Sequence, residues 1–116
     1  MIDKNEIFGY APDKKYSKAV AYFSMEFAID QALKIYSGGL GFLSGSHLRS
    51  AYELKQNLVG IGMLWKYGYY DQGRDRDALM KPEFIEKQYS FLQDTGIIFT
   101  VPVHDAPVHV KAYLLK

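Results

Sequence analysis

The sequence predicts an α/β fold, and three observations carry that prediction. Ala19-Val20-Ala21-Tyr22-Phe23-Ser24 is a short continuous apolar run, the pattern of a strand buried on both faces. A glycine cluster, Ser37-Gly38-Gly39-Leu40-Gly41, precedes a segment whose apolar residues recur at steps of three or four. A second apolar run, Leu58-Val59-Gly60-Ile61-Gly62-Met63-Leu64-Trp65, follows it. Strand, glycine turn, helix, strand is one βαβ unit.

Taken in order, residues 1–18 are polar, hold Lys4, Lys14, Lys15 and Lys18, and are expected to form an arm ahead of a domain spanning 19–116. Residues 25–36 mix Met25, Phe27, Ile29, Leu33 and Ile35 with Glu26, Asp30 and Lys34, and fit neither helix nor strand. After the glycines, Leu40, Leu43, His47, Ala51 and Leu54 share one helical face, and Gln56-Asn57 ends the helix. Gly60 and Gly62 weaken the next strand and predict close approach by another backbone or a ligand. Tyr67, Tyr69 and Tyr70 around Gly68 read as a bend or bulge. Gln72-Gly73-Arg74-Asp75-Arg76-Asp77 reads as a charged loop, and a helix is expected over 82–92 with Pro82 in its first turn. Gly96 opens a strand from Ile97 to Val103, Asp105-Ala106-Pro107 signals a turn, and Val108 to Leu115 alternates as a returning strand. No internal repeat is visible. The sequence stops inside that strand, so the chain is expected to be a truncated piece of its domain.

Composition narrows the function classes. The 116 residues allow one domain, and 48% hydrophobic with 23% charged residues is globular rather than disordered. Fourteen basic against thirteen acidic side chains leave +1, giving no electrostatic case for nucleic acid or an anionic membrane. The absence of Cys excludes disulfides, thiolate catalysis and Cys-based zinc sites. No signal-peptide pattern opens the sequence, and no apolar run reaches the roughly 18 residues of a membrane span, so a cytoplasmic location is expected. Aromatic residues reach 16%, with ten Tyr; they are either half-buried filler or an interface or carbohydrate-facing surface.

Gly38, Gly39 and Gly41 are the strongest chemical feature. Three missing β-carbons at a helix start let backbone N–H groups converge on an anion, where the helix adds roughly half a positive charge. The competing account is a tight turn using positive φ. Neither a Walker A loop nor a dinucleotide fingerprint is present. Glu26 is the only acid between Ala19 and Ile29, and it is either on an exposed face or held for polar recognition at a strand's carboxyl end. His47 reads as a core-edge histidine, while His104 and His109 flank a turn where they could face each other; no metal motif emerges. There is no Ser-His-Asp order or nucleophile elbow.

Three ordered blocks carry a family likeness. Tyr22-Phe23-Ser24-Met25-Glu26-Phe27, Tyr36-Ser37-Gly38-Gly39-Leu40-Gly41-Phe42-Leu43-Ser44-Gly45, and Val59 through Gln72 resemble the amino-terminal region of α-glucan (glycogen/starch) phosphorylases, nearest to the shorter bacterial members. The resemblance implies part of a Rossmann-like amino-terminal domain of a GT-B glycosyltransferase, without its carboxyl-terminal cofactor domain. It implies phosphorolysis of terminal α-1,4-glucosyl units to glucose 1-phosphate, with α-glucan, inorganic phosphate and the remainder of the phosphorylase chain as partners. It also implies pyridoxal phosphate as the cofactor of the complete enzyme and a homodimeric complete enzyme; from the histidines' spacing no metal is expected. Gly38, Gly39 and Leu40 would lie at the glucosyl and phosphate subsite, with the Gly39 N–H donating to phosphate, and Glu26 matches an acid near the glucosyl site. None of the eleven lysines matches the cofactor-attaching one, so the chain alone is expected to be inactive. Ser46 stands where short members usually have Asp, and Leu64 and Lys66 replace an Arg and a Glu of animal enzymes. The alternative is a non-catalytic phosphate- or sugar-binding module derived from such an enzyme.

Overall fold

The computed structural model describes residues 7–116, which divide into two units. One is Pro12–Gln88; the other combines Tyr89–Lys116 with residues 7–11. The fold is a small α/β one whose six strands among the described residues form three two-stranded sheets.

In the first unit a 3-10 turn, Lys14–Tyr16, is capped by Asp13, whose side chain accepts from the Lys15 N–H at 3.0 Å. Strand β1 (Val20–Phe23) then pairs in parallel with β2 (Leu58–Ile61), and helix α1 (Gly39–Glu53) lies between them in the chain. Val20 sits opposite Leu58 and Phe23 opposite Ile61. The expected βαβ unit is present. Its burial differs from expectation, since Val20 is 46% and Phe23 69% exposed. A pair of strands offers each only one neighbour and cannot cover both faces.

The core lies instead on the stretch that fitted neither template. Phe27, Ala28, Leu33 and Ile35 are buried, together with Ala51 of α1. Turns hold this stretch: Asp30 Oδ1 accepts from the Ala32 N–H at 2.7 Å, and the Leu33 N–H donates to the Asp30 carbonyl at 3.2 Å.

The inward face of α1 also departs from expectation. Gly41, Ser44, Gly45 and Ala51 are buried, whereas Leu40, Leu43, His47 and Leu54 are exposed. Backbone proximity explains this. A β-carbon on Gly45 would collide with the Ala28 carbonyl, and one on Gly41 would lie 2.6 Å from Tyr36 Cβ. Leucines on that face would push the helix off its neighbour, so the small residues face inward. Close approach at Gly60 and Gly62 is real, and side chains make the tightest part of it, with the Ser24 carbonyl 3.4 Å from a β-carbon at Gly62. A β-carbon would meet Leu48 Cδ1 at 2.8 Å at Gly60, and Phe27 Cδ2 at 2.9 Å at Gly62.

Beyond β2 the chain bends at Gly68 (φ +60°), whose N–H donates to the Trp65 carbonyl at 3.1 Å. Strands β3 (Asp71–Arg74) and β4 (Met80–Glu83) form a hairpin, so half of the expected charged loop is strand. Asp75 Oδ1 organises its turn by accepting from the N–H groups of Asp77 and Leu79, both at 2.9 Å. The helix expected over 82–92 does not form. Pro82 lies in β4 opposite Gln72, in a two-stranded sheet with room for a missing N–H, and Phe84 and Ile85 stay exposed, leaving no buried stripe to draw a helix inward. Lys87 ties this region together, pairing with Asp71 and donating its backbone N–H to the Lys66 carbonyl at 2.8 Å.

The second unit is built on a long antiparallel hairpin, β5 (Gln93–Val103) and β6 (Ala106–Leu114). Its turn is His104-Asp105, one residue earlier than the sequence signal, and both residues have positive φ (47° and 64°). That is the two-residue geometry whose twist matches paired strands. β5 starts before Gly96, which takes φ +69° at the irregular register between Asp94 and Ile98. His109 pairs with Thr100, sharing a 3.0 Å hydrogen bond with its hydroxyl, so His104 and His109 do not face each other. Lys111 lies 2.6 Å from Asp94, holding that carboxyl below the ordinary range while its own ammonium is pushed up. Among the described residues no helix is long and apolar enough to cross a membrane.

Candidate functional site

The structure brings together all four residues singled out at the helix start. Gly38 is the N-cap of α1, with extended backbone (φ −154°, ψ −152°), and Gly39 and Leu40 open the first turn. The Phe42 N–H makes the first helical bond, to the Gly38 carbonyl at 3.2 Å. The Gly39 and Leu40 amides precede it, so the helix gives them no carbonyl, and the dipole places partial positive charge there.

The glycines divide into two kinds. Gly41 and Gly45 are required by packing, as described above. Among the described residues nothing lies within 4 Å of a would-be β-carbon on Gly38 or Gly39, and neither has positive φ. The tight-turn account of these two therefore fails. Open space lies over the first turn of the helix.

Glu26 follows β1 in a half-buried position, and the packing of α1 delivers it to the helix start. Its carbonyl accepts from the hydroxyls of Ser24 (2.9 Å) and Ser44, the latter fully buried in α1. The Ala28 N–H donates to the Gly41 carbonyl at 2.9 Å, and Arg49 Nη2 donates to the Ile29 carbonyl at 2.7 Å. Held by its backbone, Glu26 turns its carboxylate to the loop preceding α1. The Ser37 N–H donates to Oε2 and the Ser37 hydroxyl to Oε1, both at 3.2 Å, and the Tyr69 hydroxyl also donates to Oε1. The Tyr69 hydrogen bond, then the Ser37 N–H, hold the Glu26 carboxyl below the ordinary glutamate range. The same bond raises the Tyr69 phenol, because losing its proton would set two negative oxygens together. Glu26 is thus an ionised acid at the mouth of the helix.

Sequence reasoning missed Tyr69, read only as part of a bend, and gave Ser37 no role beyond the glycine block. A usable signal existed, since an acid alone in an apolar stretch needs donors and a Tyr hydroxyl needs a partner. His47 is exposed, with its ring 4.9 Å from that of Tyr22, so it is a rim residue rather than part of the buried stripe. Among the described residues no group of three or more His, Asp or Glu could hold a metal ion.

A parallel βαβ unit whose helix starts at open glycines beside a held carboxylate defines an α/β segment suited to polar or anionic ligands. The chain is a homologue of the amino-terminal region of glycogen and maltodextrin phosphorylases. It is 35% identical over 107 residues to the maltodextrin phosphorylase of Thermococcus litoralis, a match covering 85% of this chain and 13% of that protein. It is 45% identical over 59 residues to the glycogen phosphorylase of Mycobacterium tuberculosis, covering 51% of this chain and 7% of that one. An uncharacterized protein of Methanocaldococcus jannaschii is 57% identical over 99 residues, covering 85% of this chain and 19% of that protein. The matches therefore span at most 19% of the length of these relatives. No family model matches the chain.

Proposed function

We propose that this chain supplies the glucosyl and phosphate subsite of an α-1,4-glucan phosphorylase, in which inorganic phosphate cleaves the terminal glucosyl unit of an α-glucan to release glucose 1-phosphate. The observation that carries this reading is the open space at Gly38 and Gly39. Neither backbone conformation nor any neighbour among the described residues requires glycine there, whereas a ligand oxygen approaching the Gly39 and Leu40 N–H groups does. In this reading the Gly39 N–H donates to phosphate, and Glu26 lies on the glucosyl side. The βαβ unit then belongs to a Rossmann-like amino-terminal domain of a cytoplasmic, homodimeric enzyme of the GT-B type.

Pyridoxal phosphate is the cofactor of the complete enzyme in this reading, supplying a phosphate group for acid–base chemistry. The residues of this chain do not fit its attachment. Lys87 is the one described lysine that is not exposed, and it is committed to Asp71.

The test is Gly39→Ala in a complete enzyme carrying this segment, with glucan phosphorolysis and thermal unfolding measured together. The expected outcome is a loss of about 10² to 10³ in rate, as for removal of one preorganised donor, with little change in melting. Near-normal turnover at saturating phosphate overturns the assignment. His47→Ala, on the same helix but at the rim, is the control and is expected to leave the rate within a few fold.

A further inference from the structure

Glu26 presents a difficulty for any anion that binds at the start of α1. Its carboxylate lies on the same helix mouth, and unrestrained it would itself be drawn to the free N–H groups of the first turn. The structure contains the restraint. Oε1 takes the hydroxyls of Tyr69 and Ser37, Oε2 takes the Ser37 N–H, and the Gly38 backbone amide adds to the same side. All of these donors precede the first helical turn or come from beyond β2, and the amides of Gly39 and Leu40 are not among them. Tyr69 is brought there by the bend at Gly68, whose positive φ and 2.7 Å clearance between a would-be β-carbon and the Lys34 carbonyl both demand glycine.

We propose that Tyr69, together with Ser37, is a positioning residue that tethers the Glu26 carboxylate to the loop side of the helix mouth, keeping the Gly39 and Leu40 N–H groups open to an incoming phosphate oxygen. This rests on the phosphate-subsite reading above and adds the device that prevents the protein's own carboxylate from occupying that subsite. Tyr69 acts through Glu26 and does not touch the ligand. Cutting the tether while keeping the carboxylate should make Glu26 a competitor for phosphate. Removing the charge as well should abolish the competition.

The experiment titrates inorganic phosphate against the backbone amides of Gly39 and Leu40 by NMR, in the wild-type chain, Tyr69→Phe, Ser37→Ala and Tyr69→Phe/Glu26→Gln. The expected result is phosphate affinity about tenfold weaker in Tyr69→Phe, weaker in Ser37→Ala, and recovered in the double variant. A merely structural role for Tyr69 would not be rescued by a second substitution. Unchanged affinity in Tyr69→Phe, or weakened affinity that the double variant fails to recover, overturns the tether. A second measurement separates the tether from the functional reading: the Tyr69 phenol is titrated by its absorbance in wild type and Glu26→Gln. If Glu26→Gln returns Tyr69 towards ordinary phenol behaviour while wild-type Gly39 ignores phosphate, the tether stands and the phosphate subsite falls. If the Tyr69 titration is indifferent to Glu26→Gln, the tether is wrong whatever phosphate does.

Discussion

Gly39 and Gly45 lie six positions apart in one helix and answer to different demands. At Gly45 a methyl group meets the Ala28 carbonyl, so Gly45→Ala must push α1 away from the Glu26–Ala28 segment. Overpacking of this kind costs about 1–3 kcal/mol, and denaturant unfolding should show it, whereas Gly39→Ala should leave the midpoint nearly unchanged. Glu26 makes a pH-dependent contribution whose sign is fixed by its lowered pKa. The unfolded state holds the proton at a pH where the folded state does not. The contribution is therefore fully present above the ordinary value near 4.5 and is lost as pH falls below it towards the folded pKa. Unfolding measured from pH 6 to pH 3 should lose stability in that window, and Glu26→Gln should flatten that part of the profile. At this scale the sequence was informative about Glu26 and the glycines, because a lone acid and three clustered glycines are anomalies in composition. It was silent on Tyr69, forty-three residues from Glu26, because only the bend at Gly68 and the packing of α1 bring the two together.

Among the elements, α1 shows what periodicity can and cannot reveal. The three-and-four spacing located the helix, yet the leucines that defined the stripe are exposed and the interior face is Gly41, Ser44, Gly45 and Ala51. Hydrophobicity names the buried face only where side-chain volume sets the packing distance; here backbone-to-backbone approach sets it, and smallness decides. The expected helix over 82–92 failed for a related reason, since Pro82 suits a first turn and an edge strand equally well. The β5–β6 hairpin was visible from its flanking alternation, but its turn was misplaced because His104-Asp105 lacks the usual glycine signal. Asp105→Gly should therefore relieve a left-handed residue (φ 64°) and strengthen the hairpin. The check is slower amide exchange at Val101 and Val108, which face each other across the ladder; unchanged or faster exchange would contradict it.

For the molecule as a whole, the order of strand, glycine turn, helix and strand correctly indicated an α/β chain but not how little of its apolar surface each unit buries. In the first unit Phe23, Met25, Phe42 and Leu43 are all more than 60% exposed, and in the hairpin unit Ile98 is 65% exposed. Two-stranded sheets leave such residues uncovered, and no local pattern reports how many strands a sheet will have. The parallel pairing of Val20 with Leu58 has one further consequence. Strands in parallel can join only after the connecting segment has folded back, and that segment contains Glu26, the glycines and α1. If the sheet and the helix mouth close together, an anion bound at the proposed subsite at Gly39 would act as a remote lock on β1. By mass action, phosphate at a hundred times its dissociation constant should slow exchange of the β1 amides by about a hundredfold, while the separate β5–β6 ladder stays unchanged. Equal slowing in both sheets, or none in either, would mean that the two ends of the crossover are not coupled in this way.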